Sequence, residues 1–75
     1  MPPSATGFGP VERERAAARQ RLQAIRARLR EGTAAPTDHR AALDALLVLP
    51  KAESERWLEE IRTGFTPVYA RQREY

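Results

Sequence analysis

Seventy-five residues allow one domain at most, and the lack of cysteine with only one histidine excludes disulfides and a structural zinc site as its staples. Leu, Ile, Val and Phe supply only fourteen residues while 31% are charged, near the border between folded and disordered compositions. The net charge of +3 rests almost wholly on arginine, twelve of the thirteen basic residues, and thirteen alanines favour helix.

Residues 1–9 (MPPSATGFG) have no periodicity and two early prolines, which predicts an extended N-terminal arm whose only large apolar residue is Phe8. Gly9 is an acceptable N-cap, and Pro10 suits the first helical position, where a missing N–H costs nothing. A first helix is predicted over 10–31. Glu12 and Glu14 lie at its start and Arg26, Arg28 and Arg30 near its end, both favourable to the helix dipole, and Gly32 can close it. Val11, Ala18, Leu22, Ile25 and Leu29 make a one-sided apolar stripe, flanked by Arg19, Arg21, Arg26 and Arg28.

GTAAP, residues 32–36, reads as a loop, with Thr37 as N-cap of a second helix over about 38–49. Leu43, Leu46 and Leu47 share one predicted face, and Val48 and Leu49 carry apolar character around the end. A strand over residues 46–49 is the competing reading, but no second strand exists to pair with it. Pro50 ends this helix and begins a third over 50–63, with Trp57, Leu58 and Ile61 on one face and Gly64 as its stop. Residues 65–75 (FTPVYARQREY) read as a C-terminal arm, or a short turn begun by Thr66 and Pro67. The expected fold is all-α: a small three-helix domain, a helical hairpin plus a third helix, over 10–64, with an extended arm at each end.

Nothing in the pattern assembles a catalytic site. His39, in the first turn of helix two, reads as a solvated surface residue, and neither Ser4 nor Ser54 has a histidine close in sequence to activate it. The four glycines are isolated, so none forms a phosphate-cradling loop. The expectation is therefore no enzyme, no cofactor, no metal and no small-molecule substrate. No apolar run is long enough to span a membrane and no apolar leader core follows Met1, which points to the cytoplasm or a particle assembled there.

Charge is unevenly spread. Residues 10–31 hold seven Arg against three Glu, whereas the rest is slightly acidic. Either these arginines face the glutamates of helix three, or Arg19, Arg21, Arg26 and Arg28 hold phosphates or an acidic partner. A helix-turn-helix reader fits poorly, because helix three would be the recognition helix and is net acidic.

Helices one and three can cover Leu43, Leu46 and Leu47, while Val48 and Leu49 point elsewhere. Aromatic residues on arms bury large area for few frozen rotamers. The favoured expectation is a non-catalytic helical accessory or structural subunit that docks into a larger assembly through Leu46, Val48, Leu49, Phe8, Tyr69 and Tyr75. Its partner would be a protein or a second copy. Arg-dependent nucleic-acid binding is the alternative.

The segments GPVERERAAARQRLQAIRARLREG and ESERWLEEIRTGFTPVYARQREY loosely resemble the outline of small bacteriophage head–tail joining proteins. Those proteins are similar in length, with an Ala/Arg-rich first helix and a later acidic helix followed by a basic, aromatic tail. The likeness contains no specific motif and breaks in the middle, where that family has a β-hairpin and this chain has ALDALLVLP. It implies a virion component.

Overall fold

A computed structural model of the chain describes residues 10–73, and these form three helices. Helix α1 spans Pro10–Glu31, as the sequence pattern predicts. Gly32 ends it at φ 79°, in the left-handed region that favours glycine. The Gly32 N–H donates to the Leu29 carbonyl at 3.3 Å and the Thr33 N–H to the Arg28 carbonyl at 2.9 Å, a Schellman closure that satisfies two end carbonyls.

Helix α2 spans Pro36–Leu46, two residues earlier at its start and three at its end than expected. The cap is Ala35 rather than Thr37. Proline at 36 has its φ preset for the first helical position, and Asp38 Oδ2 reaches back to accept from the Ala35 N–H at 3.0 Å. At the other end the helix tightens. The N–H groups of Leu47, Val48 and Leu49 donate three residues back, to Asp44, Ala45 and Leu46. Pro50 then stops the run, since it disfavours helical backbone at the residue before it.

Helix α3 spans Lys51–Arg73 and does not stop at Gly64, so residues 65–73 continue the helix where an arm was expected. The continuation is stabilised by burial. Ile61, Phe65 and Val68 recur at four and three residues and all enter the core, Phe65 being 1% exposed. Pro67 lies inside the helix, and one turn back the Thr66 hydroxyl donates to the Arg62 carbonyl at 2.9 Å. The expected N-terminal arm, with Phe8, and the final Tyr75 lie outside the described residues.

Arg19 meets Glu53 and Arg26 meets Glu60, so α1 and α3 run parallel with α2 reversed between them. The core draws Ala18, Leu22 and Ile25 from α1, Ala42, Ala45, Leu46 and Leu49 from α2 and its closing turn, Ala34 from the first loop, and Ile61, Phe65 and Val68 from α3. Among the described residues it holds no buried polar or charged group.

The inward face of α2 corrects the sequence reading. Ala42, Ala45, Leu46 and Leu49 follow the i, i+3, i+4, i+7 pattern and are buried, whereas Leu47, expected inside, is 82% exposed. Leu49, expected to point elsewhere, is 7% exposed. On α3, Leu58 is also more exposed than the predicted face implied.

Candidate interaction surface

Two rungs of charge join α1 to α3, seven residues apart on both helices. Arg19 grips Glu53 in bidentate fashion, Nε to Oε2 at 2.5 Å and Nη2 to Oε1 at 2.9 Å. Arg26 holds Glu60 the same way through Nε and Nη2, the latter at 2.9 Å, and its guanidinium lies 4.4 Å from the Trp57 ring centre. The hydrogen bond from Arg19 lowers the Glu53 carboxyl below its ordinary value, and the same bond raises the Arg19 guanidinium. Arg28 pairs with Asp38 at 3.2 Å, tying the end of α1 to the carboxylate that caps α2. Of the four arginines proposed for phosphate contact, three are therefore engaged with carboxylates of the same chain. Arg21 stands outside these pairs and is exposed.

Of the residues proposed for partner contact, the four described ones, Leu46, Val48, Leu49 and Tyr69, belong to or pack against the core rather than forming an outer surface. Leu46 and Leu49 lie inside the core. Val48 is half-buried, and its carbonyl accepts from Arg15 Nε at 3.1 Å. Tyr69 is half-buried too, with its hydroxyl 2.7 Å from His39 Nδ1. His39 itself is no solvated surface residue. It packs on Phe65 at 4.8 Å between ring centres, so one His–Phe–Tyr group fastens α2 to the C-terminal half of α3.

What remains outside is the opposite face of α2. Pro36, Arg40, Leu43 and Leu47 recur at four, three and four residues, the spacing of a helix–helix seam. Leu43 is 38% exposed, and Arg40 and the flanking Asp44 are exposed as well. An open cleft of about 450 Å³ lined by Pro36, Thr37, His39, Arg40, Leu43 and Tyr69 borders this face toward α3. Leu43 and Leu47, which the sequence pattern sets on the face that helices one and three can cover, lie here instead. The signal for the correct face was the full i, i+3, i+4, i+7 pattern of Ala42, Ala45, Leu46 and Leu49, visible once alanines are counted as core.

Among the described residues, no group of three or more His, Asp or Glu side chains could hold a metal ion, and no helix is long and apolar enough to cross a membrane. Compared with protein-family models, curated proteins and solved structures, the chain matches none.

Proposed function

We propose that this protein is a non-catalytic helical accessory or structural subunit that presents the outward face of α2 to another protein surface. The observation that carries this reading is the burial pattern of α2. Ala42, Ala45, Leu46 and Leu49 complete the inward face, so Leu43 and Leu47 are left facing out. Single exposed apolar side chains are ordinary, but two leucines one turn apart on an amphipathic face make a docking patch. The paired state of Arg19, Arg26 and Arg28 weighs against the nucleic-acid alternative, because charge spent on internal carboxylates is less available to phosphates.

The test is purification of the tagged full chain from its native source beside its Leu47→Asp variant. Both should show the same helix content by circular dichroism. Only the unmodified chain should elute as part of a larger assembly at fixed stoichiometry. An assembly that keeps the Leu47→Asp chain at the same stoichiometry would remove α2 from the reading. Salt-sensitive nanomolar binding to nucleic acid, lost when Arg19, Arg21, Arg26 and Arg28 become Gln, would replace it with the alternative.

A further inference from the structure

We infer that the surface covering the outward face of α2 is the same face of a second copy, the two helices lying antiparallel about a two-fold axis. The inference rests on the reading of that face as the docking surface. An interface of this symmetry needs a patch complementary to itself. The α2 face has that property, for it carries one cation, Arg40, and one anion, Asp44, one turn apart beside the two leucines. Both are exposed, and among the described residues neither takes part in an ion pair.

Antiparallel pairing of the seam sets residues early in one helix against residues late in the other. Leu47 of one copy then covers Pro36 of the other, and Leu43 packs on the aliphatic stem of Arg40. The Arg40 guanidinium reaches Asp44 of the opposite copy, and symmetry makes each contact twice. An unrelated partner would have to supply a cation and an anion in the reverse order; a second copy supplies them by symmetry. Eleven residues give a helix about 16 Å long, so the contact falls well short of the roughly 800 Å² per partner of a standard interface. The dimer is accordingly a weak one.

Sedimentation equilibrium of the purified full chain, from about 0.01 to about 1 mM, tests it. The expected result is a monomer–dimer equilibrium with nothing larger. Leu47→Asp should weaken it about tenfold or more. Arg40→Asp and Asp44→Arg should each weaken it about fivefold by placing like charges together, and the combined variant should recover because the exchanged charges meet again. All three positions are exposed, so melting curves should confirm intact folds. A chain that stays monomeric at the highest concentration overturns the inference, as does a dimer indifferent to these changes or a combined variant no tighter than the singles. A monomer whose Leu47→Asp variant still leaves the native assembly would place a different protein on α2, and the proposed function would survive. A dimer broken by Leu47→Asp, with the native assembly unaffected, would confine α2 to self-association and remove that function.

Discussion

Gly64→Ala offers the sharpest test of how α3 passes α1. Gly64 sits within α3 without a positive φ, so alanine there should gain about 1 kcal/mol of helix propensity. Its methyl, however, would lie 2.7 Å from Leu29 Cδ1, closer than real side chains approach. Overpacking of this kind costs about 1–3 kcal/mol. Leu29 is half-buried and can yield somewhat, which puts the cost near the middle of that range. The net expectation for Gly64→Ala is a loss of about 1 kcal/mol, or about 4–8 °C in Tm for a chain of this size. Leu29→Ala alone should lose about 2 kcal/mol, the low end for a core leucine. Together they should not add. With Leu29 truncated the new methyl has room, the helix gain is realised, and the double variant should lose only about 1 kcal/mol. The coupling is thus about 2 kcal/mol, well above the roughly 0.5 kcal/mol within which independent sites add. Urea titrations of the four proteins, followed by far-UV circular dichroism and Trp57 fluorescence, measure it. If Gly64 were the left-handed stop suggested by its sequence position, alanine would be costly whatever stands at 29. Simple additivity, or plain stabilisation by Gly64→Ala, would therefore refute the close approach.

Leu49→Asp should lose about 3 kcal/mol or more by burying an unpaired charge, while Leu47→Asp should leave the urea midpoint nearly unchanged; the reverse order would show that α2 is rotated from the face described. Because Glu53 titrates below its ordinary value near 4.5, its stabilising share is complete above that value and fades as pH falls through the lower folded value. Midpoints of the native chain and Glu53→Gln should therefore differ at neutral pH and converge in acid, and a gap that persists in acid would count against the Arg19 rung. Tyr69→Phe should lose about 1 kcal/mol with the His39 hydrogen bond and loosen amide protection beyond Phe65; unchanged hydrogen exchange there would mean that this end of α3 is not fastened to α2.

Legibility in the sequence followed how local each signal is. The bounds of α1 were readable because Pro10, the first-turn glutamate and Gly32 act within a turn of where they stand. Gly64 was misread because a glycine after an apolar stripe serves equally as a stop or as a point of close approach. What decides between them is Leu29, thirty-five residues away in sequence. The charge ladder was readable as a kind, an arginine-flanked stripe and a glutamate-flanked stripe, but not as particular rungs. Those need the register of α1 on α3. Arg19 and Arg26 are seven apart, as are Glu53 and Glu60, so one correct rung fixes the other.

The misreading of α2 bears most directly on function. A search for leucines finds Leu43, Leu46 and Leu47 and assigns the core to them, yet two of the three face out. Alanine hides this register, because a one-carbon side chain contributes little area and is easily taken for filler. Inside a narrow three-helix bundle that same smallness lets helices approach, and Ala42 is fully buried, with Ala45 nearly so. A helix selected only to complete this bundle has no use for large apolar side chains on its far face, where lysine or glutamate would serve solubility better. With Leu46 and Leu49 buried beside Ala42 and Ala45 and with Leu43 and Leu47 outside, the large apolar side chains of this segment are divided between two faces. On the docking reading proposed above, that division suits a helix with one face packed into its own domain and the other covered by a partner.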